Sequence, residues 1–207
     1  MAGRKAKISA TIWIETARLM LVEVGIGGVK IDRLANRLGV TRGGFYHNFK
    51  DRDELLDQLL EHWKHSCRFL PDDGPGANPT DAVEWLDRMI LRLIESDGYD
   101  YQFDMAVREW ARGDQRAAWA VERADRERLL KLQQLFEALG YDVEKAVIRA
   151  RVFYYHQIGY YAIGVRQSVP ERRQAAENYL EILCGAEALA AARRRTTSAK
   201  PRARASA

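Results

Sequence analysis

The sequence predicts an all-α fold: an N-terminal three-helix head that carries a helix-turn-helix, followed by a C-terminal helical body. Three observations predict it. Apolar residues recur at helical spacing, as Ile31, Leu34, Ala35 and Leu38 do at i, i+3, i+4 and i+7. No strand pattern of any length falls between residues 80 and 190. Glycine and proline punctuate the chain at intervals suited to helices, at Gly25, Gly39, Gly98, Gly113, Gly140 and Pro170.

Taken in order, Ile8 to Val24 reads as an amphipathic helix with Ile12, Leu19 and Met20 among its core residues, ended by Gly25 and Gly27-Gly28. Residues 31 to 38 form a second helix, and Gly39 stands where a left-handed residue closes it. Val40 packs into the turn, and the Thr41 hydroxyl is placed to cap a third helix, which Phe45 and Phe49 bury. Asp51 and Glu54 stand at capping-box spacing before Leu55-Leu56, so a fourth helix runs to about Phe69. The segment 71 to 79 contains three prolines and two glycines and must be a loop. Helices then follow at about 80 to 96, 101 to 112, 114 to 139, 142 to 167 and 171 to 191.

Two helices joined by a glycine turn are a common means of holding a helix in the DNA major groove. The groups left facing outward are Thr41, Arg42, Gly43, Gly44, Tyr46 and His47, and hydroxyl, guanidinium, phenol and imidazole all bond phosphates or base edges. Arg42 is the side chain able to fork onto a guanine. Lys50 and Arg52 flank the amino end of the fourth helix, where free amides, the positive dipole and two cations together make a phosphate clamp. Any three-helix core could contain a Leu-Gly-Val turn; the residues from 50 to 56 are what strengthen the DNA-binding reading.

Residues 13 to 56 resemble the TetR family of bacterial transcriptional regulators. The likeness lies in the run from Ala17 through Gly25 into Leu34-Ala35, in Gly39-Val40-Thr41-Arg42, and above all in Phe45-Tyr46-His47-Asn48-Phe49 followed by Asp53-Glu54-Leu55-Leu56. Weaker likenesses stand at Trp110-Ala111-Arg112 and Arg149-Ala150-Arg151. The resemblance implies a homodimer of about nine helices per chain, the first three binding an operator and the remainder a small-molecule inducer. Three positions depart from the pattern. Lys30 replaces the threonine that caps the second helix, exchanging a cap for a phosphate contact. Gly44 stands where a small hydroxyl or alanine is usual, and Arg52 replaces a lysine, presenting a fork instead of a point charge.

Charge is segregated along the chain. Residues 1 to 52 hold ten Lys/Arg against four Asp/Glu, and Arg193 to Ala207 hold six basic residues and no acid, so the middle is acidic. Basic ends and an acidic body suit a protein whose ends meet a polyanion. The expected organisation is a DNA-binding domain at 1–52, a ligand-binding and dimerisation domain at 53–192, and a disordered basic tail at 193–207, which either adds phosphate contacts or is simply solvated.

In the body, Phe153, Tyr154, Tyr155, Tyr160 and Tyr161 place five rings in nine residues, so that helix is buried on more than one face. Gly159 and Gly164 admit a close helix neighbour, and Tyr179, Ile182, Leu183 and Ala186 form a second stripe; by the family's architecture these two helices pair with their copies as a four-helix bundle. Candidates for a ligand pocket are Trp85, Met89, Phe103, Trp110, Tyr154 and Gln157, a mainly apolar wall suited to an apolar or aromatic inducer. Each of them could equally be plain core. Arg149 and Arg151 would pair an acidic ligand or form surface salt bridges.

Other chemistries find little support. Cys67 and Cys184 have no Cys-x-x-Cys partner and read as reduced structural thiols. His62, His65 and Cys67 share a helix, but no further residue completes a metal site, so no metal and no cofactor are expected. No phosphate loop or nucleophile-base arrangement suggests an enzyme. No apolar run is long enough to span a membrane, and Glu15, Arg18 and Glu23 interrupt the first helix, which argues against a signal peptide and for a cytoplasmic protein. The readings carried forward are a ligand-responsive repressor released from a palindromic operator, a ligand-independent architectural DNA-binding protein, and a helical carrier or enzyme with an incidental helix-turn-helix.

Overall fold

The computed structural model describes residues 8–199. Among them are ten α-helices, one short 3-10 turn at Ile26–Gly28, and no strand. The helices are α1 (Ala10–Val24), α2 (Ile31–Arg37), α3 (Arg42–Tyr46), α4 (Arg52–Ser66), α5 (Pro79–Glu95), α6 (Tyr101–Ala111), α7 (Gln115–Ala138), α8 (Val143–Ala162), α9 (Val169–Cys184) and α10 (Ala186–Ala199). The all-α expectation holds, with one helix more than the nine implied by the resemblance.

Local chemistry fixes most of the boundaries. Asp51, Asn78, Asp100 and Asp142 each accept the amide of the residue three positions on, supplying side-chain caps to α4, α5, α6 and α8. Ser168 and Glu171 form a reciprocal capping box at the start of α9. Two expected spans are corrected. The helix expected over 142 to 167 ends at Ala162, where Gly164 adopts a left-handed φ of 70° and its amide bonds to Tyr161. The helix expected over 171 to 191 is two helices, because Gly185 has φ 87° and breaks the rod between α9 and α10.

The described residues fall into two compact units that do not follow chain order. One takes in the chain up to Cys67 together with Asp100–Ala124; the other takes in Arg68–Tyr99 and the chain from Asp125 onward. The first unit thus takes in α4 and α6, which pack against α1 and against each other. In the first unit α1 packs against α2, α4 and α6, and α4 packs against α6. Trp13, Ala17, Leu21, Leu34, Phe45, Leu55, Leu59 and Trp63 are buried there.

Polar ties reinforce this packing. Trp63 Nε1 donates to the fully buried Asp104 at 2.8 Å, and Arg108 Nε reaches the other carboxylate oxygen at 3.2 Å. Arg18 donates to Glu15 and, at 2.6 Å, to Asp100, joining α1 to the start of α6. Hydrogen bonding to Glu15, with the charge of Asp100 beside it, holds the Arg18 guanidinium protonated beyond its ordinary range.

In the second unit α5 packs against α9 and α10, and α9 packs against α10. Its core includes Trp85, Leu86, Met89, Leu93, Leu135, Phe136, Phe153 and Leu180. Arg128 donates to the Tyr154 hydroxyl, which donates to Asp125 at 2.6 Å, so a buried guanidinium is matched by a phenol and a carboxylate. The tail expectation is corrected over its described part: residues 193–199 complete α10. Arg193 bonds Asp87 and Glu177, and Arg195 bonds Asp81. Acids distant in sequence thus hold arginines that looked solvated. Residues 200–207 lie outside the described chain.

Candidate functional site

The amino-terminal unit presents the helix-turn-helix as α2, a turn and α3. Leu34, Ala35, Phe45 and Phe49 are buried, and Gly39 has φ 65°, a conformation that strains any residue with a Cβ. Phe45 anchors α3: its ring meets Trp13 edge-on at 5.4 Å and stacks on Phe49 at 5.1 Å. Asn48 donates to the carbonyls of Ile8 and Gly44, tying the end of α3 to the chain entering α1. Sequence reasoning used Asn48 only as part of a motif; an amide beside two phenylalanines gives no hint of its partners.

With the inner face so fixed, Lys30, Thr41, Arg42, Gly43, Tyr46, His47 and Lys50 are exposed and Gly44 is partly so. Lys30 takes the N-cap position of α2 without a capping bond, as expected from the missing threonine. Thr41 is a correction: it occupies the N-cap of α3 in extended conformation, yet its side chain makes no capping bond. The amide of Gly44 bonds instead to the Thr41 carbonyl, which leaves the hydroxyl for an external partner.

Arg42 is held by Asp32 of α2 at 3.0 Å, with both side chains 62% exposed. That acid was not among the expected site residues. Arg52 is directed differently from the expected clamp: its guanidinium donates inward to the carbonyls of Val29 and Ile26, bracing the 3-10 turn. Lys50 remains at the surface, and its backbone amide donates to the Glu54 carboxylate, one residue upstream of the usual capping-box position.

The two glycines of α3 leave room for a larger residue. A Cβ at Gly44 would lie 3.8 Å from Val40 Cγ2 and 3.9 Å from Trp13 Cζ2, ordinary contact distances, and its φ is not positive. Gly44→Ala is therefore expected to stabilise the first unit by about 1 kcal/mol, the helix-propensity difference. Thermal denaturation checks this, and a lowered midpoint would mean that the helix needs the glycine for its backbone path.

Around His62 the geometry is that of a surface network. Its Nε2 lies 3.6 Å from Glu15 and 3.4 Å from Ser66 Oγ, whereas Cys67 is buried and donates to the Asp100 carbonyl. Among the described residues no group of three or more His, Cys, Asp or Glu is arranged to hold a metal ion. Nor is any described helix long and apolar enough to cross a membrane.

The second unit contains a cleft among α5, α8 and α9. Ile90, Leu93, Ile94, Phe153 and Ala175 form its apolar lining, and His156, Gln157, Tyr160, Gln167, Arg172 and Tyr179 its polar lining. Of the expected pocket residues only Gln157 lines it. Trp85, Met89 and Tyr154 are buried in the core of this unit, and Phe103 and Trp110 in that of the first. Aromatic spacing on a helix identifies an apolar face but does not distinguish core from cavity wall.

An apolar face is exposed on α8 and α9. It carries Ile148, Val152 and Tyr155 from α8, with Tyr179 40% and Ile182 73% exposed on α9. Gly159 is partly exposed, and Gly164 and Ala186 are exposed. Leu183 departs from the expected stripe: it is buried within its own chain, and its carbonyl accepts from Arg149. Arg149 also lies over the Tyr141 ring at 4.0 Å.

Fold and surface together define an all-α protein with an amino-terminal helix-turn-helix. Residues 14–59 match the family model of bacterial regulatory proteins, tetR family, so the resemblance read from residues 13 to 56 is borne out over the helix-turn-helix. The tetracycline repressor protein class C of Escherichia coli is 30% identical over 123 residues, 58% of this chain and 51% of that protein. The matches span about a fifth to a half of the length of the curated relatives.

Two solved structures share the fold. A transcriptional regulator of the TetR/AcrR family from Thermobifida fusca is 18% identical at a TM-score of 0.55, covering 86% of this chain and 97% of that one. AibR, solved with isovaleryl coenzyme A and operator DNA, is 15% identical at a TM-score of 0.59, covering 85% and 98%. At these identities the likeness is one of fold.

Proposed function

We propose that the chain is a ligand-responsive transcriptional regulator, a repressor that binds a palindromic operator as a homodimer and is released by a small apolar or aromatic molecule. The observation that carries this reading is the outer face of α3: Thr41, Arg42, Gly43, Gly44, Tyr46 and His47 lie on or cap a helix whose inner face is buried, with Lys30 exposed at the start of α2 and Lys50 exposed just before α4. On DNA, Arg42 exchanges Asp32 for a base edge or phosphate, and Lys50 contributes a phosphate contact. Arg52 contributes through the turn that it braces, with its guanidinium committed to two carbonyls.

The exposed apolar face of α8 and α9 supports pairing with a second copy, since a stripe of this kind is costly in water and self-complementary under twofold symmetry. In the first unit, the Arg18–Asp100 and Trp63–Asp104 bonds tie α6 to both α1 and α4, so a shift of α6 is carried into the head. The related AibR fold accommodates both a ligand and operator DNA, which supports the same two partners here.

The deciding experiment compares binding to the intergenic DNA flanking the protein's own gene with binding to a scrambled duplex of equal length at near-physiological salt. A preference of about a thousandfold or more is expected of an operator reader. Equal binding to both duplexes sinks this reading in favour of an architectural role. That alternative has less support once Arg193 and Arg195 are engaged by acids of the same chain. In the same assay Arg42→Ala is expected to cost about 1–3 kcal/mol of discrimination, whereas Lys50→Ala weakens both duplexes alike and reduces the salt slope by about one. Variants of Arg42 and Lys50 that bind like the parent would remove α3 from the interface.

A further inference from the structure

We propose that the cleft among α5, α8 and α9 binds a small carboxylate with an apolar body, its anionic end taken by Arg172. This names the ligand class for the ligand-responsive reading above and rests on it for its regulatory consequence. Arg172 is half-buried and lines the cleft. It donates to the Ile94 carbonyl and to the Tyr161 hydroxyl, each at 3.2 Å, and its guanidinium lies 5.1 Å from the Tyr160 ring centroid and 5.8 Å from that of Tyr161. All of these partners are neutral.

The contrast with its neighbours is sharp. Arg173 pairs with Glu95, Arg88 with Asp73, and Arg193 with Asp87 and Glu177. Among the described residues no carboxylate pairs with Arg172, and none of the residues lining the cleft is acidic. A partly desolvated guanidinium without a counter-ion is only partly offset by aromatic faces. It keeps donors in a planar fork that matches a carboxylate. Ile90, Leu93 and Phe153 provide the apolar wall against which the body of such a ligand packs, and Gln157 provides a neutral polar contact. Tyr179 lines the cleft and is also exposed on the face proposed for the second copy, so occupancy acts next to that face.

The test uses the full chain without DNA and two isosteric probes, phenylacetate and phenylacetamide, titrated by isothermal calorimetry. Phenylacetate is expected to bind about ten- to a hundredfold more tightly, the range of one charge-assisted contact. Arg172→Gln erases that preference by weakening the acid more than the amide, and Arg172→Lys restores part of it. Because Arg172 also bonds Ile94 and Tyr161, folding of each variant is checked by circular dichroism. Ala175→Leu, which fills the cleft from another position of α9, weakens both probes together and keeps the test available if Arg172→Gln does not fold. Equal affinity for acid and amide, absence of phenylacetate binding, or a preference that survives in folded Arg172→Gln overturns the proposal. A chain that reads its operator but ignores the acid loses only this inference; one that binds the acid but no DNA loses only the regulator reading.

Discussion

Asp104→Ala is expected to destabilise the first unit by about 3–5 kcal/mol, the cost of breaking a buried ion pair by removing one partner. The carboxylate is fully buried on α6, accepts from Trp63 of α4 at 2.8 Å and faces Arg108 at 3.2 Å. Truncation removes this acceptor from a buried indole N–H and this counter-charge from a guanidinium only 16% exposed. Asp104→Asn retains the shape and an acceptor while losing the charge, so a smaller loss is expected, and the difference between the variants isolates the ionic part. The Arg18–Asp100 bond joins α6 to α1 through side chains that are 20% and 29% exposed, and its removal is expected to cost less because water replaces it more readily. Urea unfolding followed by circular dichroism measures all three. An Asp104→Ala variant within about 0.5 kcal/mol of the parent, the range of ordinary surface changes, would mean that the carboxylate contributes nothing net.

The helix-turn-helix was legible because each of its parts has a local signature. Apolar spacing sets α2, a left-handed glycine closes it, and two phenylalanines four residues apart bury α3. What the sequence concealed is where polar side chains turn when several partners are within reach. Thr41 has a capping residue's type and position but no capping bond, and Arg52 reaches carbonyls more than twenty residues back in place of the helix end beside it. The same holds for the tail: nothing near Arg193 in sequence announces Asp87, 106 residues away. Arg172 passed unnoticed in Pro-Glu-Arg-Arg, which reads as a solvated helix start; only its aromatic and carbonyl partners separate it from Arg173 beside it. The rings named for a pocket are buried, because large rings are also the side chains that fill a core.

Phe45→Ala is expected to cost about 3–5 kcal/mol in the first unit and to abolish preferential DNA binding. The ring is fully buried between Trp13 and Phe49, and α3 spans only Arg42–Tyr46. A helix of five residues has no stability of its own and is held by what its buried side chain touches. Without Phe45 the outer groups lose their fixed spacing, and a cation without a fixed position binds phosphate but does not read bases. The pattern therefore differs from that of Arg42→Ala, whose exposed side chain leaves the melting temperature unchanged while discrimination falls. Phe45→Leu, which keeps much of the volume, is expected to fold with a lowered midpoint, and specific duplex should raise that midpoint because binding to the ordered head adds its free energy to folding. Thermal melts with and without flanking DNA, paired with anisotropy titrations, measure both effects. Retention of full operator preference by Phe45→Ala would place DNA reading somewhere other than α3.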